Sequence, residues 1–124
     1  DVLVVDDDKQ ILKVLQMYLN NMGCFANIVL AQDGITASNK LNNQKFDLIL
    51  LDLNLPKKSG LEIIKEIAEN KRSVNALKNI IVVSGTLEKD KIEKILGFGV
   101  KHFLVKPFDE EHFQEKVLKV MTTK

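Results

Sequence analysis

Two kinds of apolar pattern alternate along the chain, and together they predict its secondary structure. Short runs of consecutive apolar residues are typical of strands that are buried on both faces of a parallel sheet. Apolar residues that recur every three or four positions are typical of helices with one buried face. The runs predict five strands, at residues 2–5, 25–31, 48–51, 80–83 and 102–105. Asn27 within the second run favours an edge position for that strand.

A helical pattern follows each predicted strand. The spacing predicts five helices, at residues 11–22, 37–41, 61–68, 88–96 and 110–121. In the fourth helix we expect Ile92, Ile95 and Leu96 to face inward, and we expect Gly97 and Gly99 to end it. The rest of this helix is charged, so we predict that it is weakly anchored to the core.

The alternation of strands and helices indicates an α/β fold. Strands buried on both faces need helices on both sides of the sheet, and such sheets are mostly parallel. Right-handed crossovers make a doubly wound sheet the simplest arrangement at this length. The carboxyl ends of the strands then face one edge, where ligands bind in open α/β sheets. Residues 70–78 carry no regular pattern, and we predict no conformation for this connector.

Length and composition narrow the class of protein. A chain of 124 residues with 45% hydrophobic and 28% charged residues is typical of one ordered domain. A net charge of +1 gives no overall field that would attract nucleic acid or an anionic membrane. No apolar run approaches the ~20 residues of a membrane span. The single Cys24 excludes an internal disulfide and favours a reducing, cytoplasmic setting.

The first residue is Asp1 rather than a methionine, and it leads directly into the first strand. We therefore expect residues 1–124 to be a single domain, either trimmed from a longer protein or standing alone.

Charged and hydroxyl side chains stand where the predicted strands end. Asp6 and Asp7 follow the first strand, Asp52 the third, Ser84 the fourth and Lys106 the fifth. At ~4 Å and an effective dielectric constant near 20, each pair of carboxylates repels by about 4 kcal/mol, so the cluster needs a compensating cation. Lys106 supplies one positive charge, and the oxygen ligands suit Mg²⁺. A carboxylate nucleophile, a divalent cation, an ammonium and a hydroxyl are the groups that phosphoryl transfer to an aspartate requires.

Each of these residues also fits a simpler role. Acids at residues 6–8 are favourable at a helix N-terminus, and Ser84 is a suitable cap for the following helix. Phe103 fits ordinary core packing, and Lys106 alone would be a surface lysine. The residues taken singly leave these alternatives open, and their joint occurrence at strand ends favours the acid pocket.

Four sequence motifs, in this order, resemble the response-regulator receiver domain of two-component signalling. The motifs are Val-Val-Asp-Asp-Asp (4–8), Leu-Leu-Asp-Leu-Asn-Leu-Pro (50–56) with a later Gly60, Val-Val-Ser-Gly-Thr (82–86) and Phe-Leu-Val-Lys-Pro-Phe (103–108). The resemblance covers essentially the whole of residues 1–124. It implies a flavodoxin-like, doubly wound sheet of five parallel strands in the order 2-1-3-4-5, flanked by five helices.

The resemblance implies which residue accepts the phosphoryl group and which residues bind the metal ion. Asp52 would be the phosphoacceptor. Asp7, Asp52 and the backbone carbonyl of Asn54 would bind Mg²⁺, with Mn²⁺ as an alternative ion, and Asp6 would act through a water molecule.

The resemblance also implies which residues respond to the phosphoryl group. Ser84 would engage it, Lys106 would pair with it, and Gly85 would leave the acceptor accessible. Phe103 would change rotamer with Ser84 as part of the switch. The peptide bond before Pro107 would be cis.

The function implied is a phosphorylation-dependent signalling switch. A histidine kinase or histidine phosphotransfer protein would phosphorylate Asp52, and the surface formed by the fourth helix, fifth strand and fifth helix would change for an output partner that the sequence does not identify. The domain would promote only its own phosphorylation and dephosphorylation, so we interpret it as a switch rather than an enzyme, with no direct binding to nucleic acid or membrane.

Three other functions fit parts of the pattern. A phosphorylation-independent, receiver-like binding module would share the fold, but the intact acid set argues against it. An aspartate-based, Mg²⁺-dependent phosphohydrolase typically has a second Asp where this chain has Asn54. A flavodoxin-like cofactor binder needs a phosphate-binding loop where this chain has three acids.

Overall fold

Five parallel strands form one sheet in the computed structural model, which describes residues 1–122 of the chain. The strands are β1 (Val2–Val5), β2 (Ile28–Ala31), β3 (Leu48–Leu51), β4 (Ile80–Ser84) and β5 (His102–Val105). Their order is β2-β1-β3-β4-β5, with β1 and β3 paired residue for residue. The predicted doubly wound α/β fold is confirmed, and β2 lies at an edge as expected.

Helices follow the strands in strict alternation. They are α1 (Lys9–Met22), α2 (Gly34–Asn43), α3 (Gly60–Glu69), α4 (Lys89–Phe98) and α5 (Glu110–Thr122). A single 3₁₀ turn, Leu77–Asn79, precedes β4. Within the part of the chain that the structure describes, no helix is both long and apolar enough to cross a bilayer.

The sheet separates two apolar layers, because successive side chains of a strand point to opposite faces. In β3, Leu48 and Leu50 join the layer made with α1 and α5, whereas Ile49 and Leu51 join the layer made with α2, α3 and α4. All four side chains are buried. Burial on both faces explains why this strand is a continuous apolar run rather than an alternating one.

Polar side chains define where the first three helices begin. Asp8 accepts a hydrogen bond from the Gln10 amide at 2.9 Å and caps α1. Asp33 caps α2 and Ser59 caps α3, each by accepting from a backbone amide of the first turn. The simpler interpretation of the acids after β1 is therefore correct for Asp8. It leaves Asp6 and Asp7 available to a pocket at the sheet edge.

The fourth helix differs from its prediction. It runs through Gly97 to Phe98 and ends at Gly99, which adopts a left-handed φ of 114°. The expectation that Gly97 breaks the helix was therefore wrong. Leu96 is 49% exposed instead of facing inward, and Ile95 is the buried residue of α4, all of which the structure describes. The prediction that few apolar side chains anchor α4 is confirmed, since only Ile95 is buried and Phe98 packs partly buried against the same layer.

The structure also shows where β2 begins and how the connector before β4 is folded. Strand β2 begins at Ile28, three residues later than the pattern indicated.

The connector at residues 70–78, for which we predicted no conformation, is organised by the buried side chain of Asn75. Its amide nitrogen donates to the carbonyls of Leu41 at 2.7 Å and Gln44 at 2.8 Å, and its oxygen accepts from the Phe46 amide at 2.8 Å. Asn75 therefore joins the end of α2 to the entrance of β3.

Removing the Asn75 side chain should destabilise the fold. Asn75→Ala leaves one amide and two carbonyl groups unpaired in a buried site, which should lower the free energy of unfolding by about 3 kcal/mol. Urea denaturation measures the change. Asn42→Ala, at an exposed position of α2, is the control and should change it by less than about 0.5 kcal/mol. Equal effects of the two substitutions would show that the Asn75 hydrogen bonds contribute little.

Candidate functional site

The carboxyl edge of the sheet brings together acids from two strands and a lysine from a third. The parallel pairing continues one residue past the strand ends, since the Asp52 amide donates to the Val5 carbonyl at 3.1 Å. The Lys106 amide likewise donates to the Ser84 carbonyl at 2.9 Å. These bonds place the side chains that follow β1, β3 and β5 at one edge, as the sequence predicted.

Three carboxylates form a tight cluster there. One oxygen from each of Asp6, Asp7 and Asp52 lies within 4.8 Å of the other two. Asp6 is 1% exposed and Asp52 is 5% exposed, whereas Asp7 is open to solvent. The cluster is therefore a pocket with two buried acids and one acid at its mouth.

Lys106 compensates part of this negative charge. Its Nζ lies 2.6 Å from Asp6 Oδ2 and 3.3 Å from Asp52 Oδ2, and its side chain is 19% exposed. Partial burial alone would lower the pKa of Lys106. The hydrogen bond that it donates to Asp6 and the negative charges of both acids outweigh that effect and raise the pKa. The lysine is therefore a fixed positive charge in the pocket.

The acceptor candidate, Asp52, has the opposite balance. Burial raises the pKa of the Asp52 carboxyl above its ordinary value, and the negative charge of Asp6 adds to the rise. The Lys106 ammonium and the hydrogen bond from the Asn54 amide oppose the rise without cancelling it. The ionised form of Asp52 is thus disfavoured by its surroundings, and a further cation in the pocket would stabilise it.

The donor set fits a hard divalent cation. Three carboxylates face one ammonium, which leaves an excess of two negative charges when all are ionised, and oxygen ligands are those that Mg²⁺ prefers. Asp6 already accepts from the Asp8 amide at 2.9 Å and from Lys106, so its oxygens are engaged by protein donors. This arrangement suits an indirect role for Asp6. Asn54 lies beside the cluster, with its amide 3.3 Å from Asp52 Oδ1.

The two predicted switch residues occupy different environments. Ser84 is fully buried as the last residue of β4, and its hydroxyl donates to the Thr86 carbonyl at 3.2 Å. The helix that follows has Glu88 at its N-cap, so the alternative that Ser84 caps α4 was wrong. Phe103 is half-buried and packs against the apolar layer of α2, α3 and α4, as its core-packing interpretation predicted. Their roles in switching stay predictions.

The loop between β3 and α3 contacts parts of the chain that the sequence did not single out. A Cβ on Gly60 would lie 2.3 Å from the Asp52 carbonyl oxygen, so the glycine is required by the close approach of two backbone segments. Gly34, at the start of α2, donates its amide to the Pro56 carbonyl at 3.1 Å. In the sequence, only the Asp-Gly pair at residues 33–34 hints at this contact, and such a pair is typical of an ordinary turn. The Lys106–Pro107 peptide bond is cis, as the resemblance implied.

Comparison with known sequences identifies the class. The response regulator receiver domain family matches residues 2–118. The transcriptional regulatory protein MalR of Bacillus subtilis is 36% identical over 114 residues, which cover 92% of this chain and 47% of MalR. The chemotaxis protein CheY1 of Helicobacter pylori is 31% identical over 125 residues, which cover 98% of this chain and 97% of CheY1. The chain belongs to the response-regulator receiver family, and it spans about half the length of MalR.

A solved structure supports the same assignment. The receiver domain of the sensor histidine kinase PA1611 from Pseudomonas aeruginosa superposes with a TM-score of 0.82 at 26% identity, over 98% of this chain and 96% of that domain. That structure contains a magnesium ion coordinated in its active-site cleft. The family is a class of signalling domain rather than a classical enzyme, and its acidic pocket binds Mg²⁺.

Magnesium should stabilise the fold through this pocket. At a tenfold excess over its dissociation constant the ion would add about 1.4 kcal/mol, or about 5 °C in melting temperature for a domain of this size. Asp7→Asn should reduce the shift and stabilise the metal-free form, because it removes one repelling charge. Asp8→Asn is the matched control, since asparagine also caps helices and Asp8 serves α1. Differential scanning calorimetry with and without Mg²⁺ tests this, and equal shifts in both variants would contradict it.

The raised pKa of Asp52 predicts how stability varies with pH in the absence of divalent cations. The native state binds this proton more tightly than the unfolded chain, so the contribution is fully present below the unfolded pKa and is lost as pH rises through the folded pKa. Asp52→Asn should therefore raise the melting temperature at about pH 7, and the gain should vanish near about pH 3. Thermal melts in EDTA measure the gain in melting temperature. Glu93→Gln, at an exposed position of α4, is the control. A gain that persists in acid would show that ionisation of Asp52 is not its cause.

Proposed function

We propose that Asp52 accepts a phosphoryl group from the phosphohistidine of a histidine kinase or a histidine phosphotransfer protein. The observation that supports this most is the meeting of Asp7 and Asp52, from two strands, with Asp6 and Lys106 in one pocket. Asp7, Asp52 and the backbone carbonyl of Asn54 hold the Mg²⁺ ion, and Asp6 acts through water. Mn²⁺ would serve in its place, because it also prefers oxygen ligands.

The proposed reaction is a transfer between two protein side chains. A carboxylate oxygen of Asp52 attacks phosphorus, the P–N bond to the histidine breaks, and the imidazole leaves with the bonding electron pair. The product is an acyl phosphate on Asp52. The metal ion, when bound, neutralises charge on the phosphoryl oxygens. Lys106, already held beside Asp52, pairs with the group after transfer.

The proposed response is a change in the surface formed by α4, β5 and α5. The new negative charge draws the Ser84 hydroxyl and Lys106 toward Asp52, and the segment after β4 follows. Because α4 is anchored by Ile95 and Phe103 is only half-buried, this region is the part of the molecule best suited to a second arrangement. An output partner recognises the new surface.

The same proposal covers the wider role of the chain. We propose that residues 1–124 act as one receiver domain in the cytoplasm and promote only their own phosphorylation and dephosphorylation. The partners are proteins, and neither nucleic acid nor membrane is contacted directly.

Chemical phosphorylation tests the acceptor. Incubation with acetyl phosphate or phosphoramidate and Mg²⁺ should add one phosphoryl group per chain, detected by intact-protein mass spectrometry. Asp52→Ala should abolish the addition, and EDTA should prevent it in the native chain. Asp90→Ala, which removes an exposed acid of α4, is the control and should be phosphorylated normally.

The other outcomes separate the alternatives. A phosphoryl group that survives Asp52→Ala would place the acceptor elsewhere. A folded, Mg²⁺-binding chain that is never phosphorylated would favour the phosphorylation-independent binding module. Continuous release of inorganic phosphate from added phosphomonoesters would favour the phosphohydrolase.

A further inference from the structure

The loop that carries Asn54 rests on the first turn of α2. The Pro56 carbonyl, in the middle of this loop, accepts hydrogen bonds from two amides, those of Gly34 at 3.1 Å and Lys58 at 2.8 Å. One of these donors belongs to the loop itself and the other to α2. The loop is therefore held in place from outside at its midpoint.

Gly34 makes this contact by close backbone approach. A Cβ built on Gly34 would lie 1.8 Å from the Lys58 carbonyl oxygen and 2.5 Å from its carbonyl carbon. Both atoms belong to the backbone of the loop, so a side chain at this position can be accommodated only if the loop moves. The glycine is thus required for space rather than for a left-handed conformation, which among the described glycines is found at Gly23 and Gly99.

Side chains on both flanks complete the attachment. Lys58 donates to the Ser38 hydroxyl of α2 at 3.0 Å and pairs with Glu66 of α3. Lys57, at a left-handed φ of 70°, places its Nζ 3.9 Å from a carboxylate oxygen of Asp33, which also caps α2. The loop is therefore tied to two helices as well as to the strand that precedes it.

The ends of the loop are fixed as well. The Gly60 amide donates to the Leu53 carbonyl at 3.0 Å, and the Asn54 amide donates to Asp52 Oδ1 at 3.3 Å. Asn54 therefore lies between restrained points of the loop, and the contact at Gly34 is the restraint that comes from outside the loop. A shift of the loop by even part of an ångström would be passed to Asn54, because few residues separate it from Pro56.

We propose that Gly34 is a positioning residue for the metal site: the close contact of the residue 33–34 turn with the β3–α3 loop holds Asn54 where its carbonyl can bind the ion shared by Asp7 and Asp52. This inference rests on the proposed function of the pocket. Mg²⁺ demands near-ideal octahedral geometry, so a displaced carbonyl should reduce affinity. Residues that orient metal ligands typically contribute 10–100-fold to affinity.

Isothermal titration calorimetry of Mg²⁺ binding to the full chain tests the proposal without using phosphorylation. Gly34→Ala should raise the dissociation constant for Mg²⁺ by about tenfold, which means weaker binding. The matched control is Gly97→Ala in α4, where a Cβ meets nothing within 4 Å, and its dissociation constant should equal that of the native chain. Melting temperatures in EDTA, recorded for all three proteins, separate a loss of stability from a loss of metal affinity.

A second variant keeps the test decisive if Gly34→Ala does not fold. Lys58→Met removes the ammonium group that ties the loop to α2 and α3. Removing a positive charge from this loop would by itself favour a cation, so electrostatics alone predicts tighter binding. Binding weaker than that of the native chain would therefore report a loosened loop.

The outcomes distinguish the inference from the function on which it rests. If the native chain binds Mg²⁺ and both variants bind it equally well or better, the positioning role of Gly34 is overturned and the proposed metal site stands. If Gly34→Ala lowers the melting temperature while its dissociation constant is unchanged, the contact is only structural. If the native chain does not bind Mg²⁺, the proposed function and this inference both fail.

Discussion

The site at the carboxyl edge of the sheet depends on one electrostatic balance. Its carboxylates repel one another, and the single ammonium of Lys106 offsets part of that repulsion. Asp6 and Asp52 are buried at the carboxyl edge of the sheet, and Lys106 lies within hydrogen-bonding distance of both. A core built for stability alone would replace such a group with apolar side chains, because burying like charges is costly. The pairing of β1 with β3 keeps the acids together despite that cost. The sheet thus maintains a site that is short of positive charge.

Much of this arrangement could be predicted from the sequence, because it depends on local patterns and one rule of topology. The apolar runs identify the strands, and parallel strands bring their carboxyl ends to one edge. The runs place Asp52 and Lys106 at the same edge of the sheet, whereas the strand order that brings them close together was implied only by the resemblance to the receiver family. The α/β fold class and the gathering of acids and a lysine at one sheet edge were predictable for this reason.

The remaining features depend on contacts between distant segments, which single-sequence patterns do not encode. Asn75 reads as one more polar residue in a polar connector, although its side chain joins α2 to β3. Gly34 reads as part of a turn, because only the folded chain brings Lys58 against it. Leu96 was misplaced because the inward direction of a helix with one anchoring residue is poorly determined by periodicity.

The helices on the two faces of the sheet are not all held equally firmly. On one side, Tyr18, Phe108 and Phe113 form a continuous aromatic group that fixes α5 to α1. On the other side, α4 has a single buried anchor. At the sheet edge, Asp7 is open to solvent while its two companions are buried. A hydrated ion can therefore reach and leave the acids while every strand remains paired. Occupancy of the site by the ion would then follow the surrounding ion concentration at the rate of diffusion and ligand exchange. It would not depend on how slowly the domain unfolds.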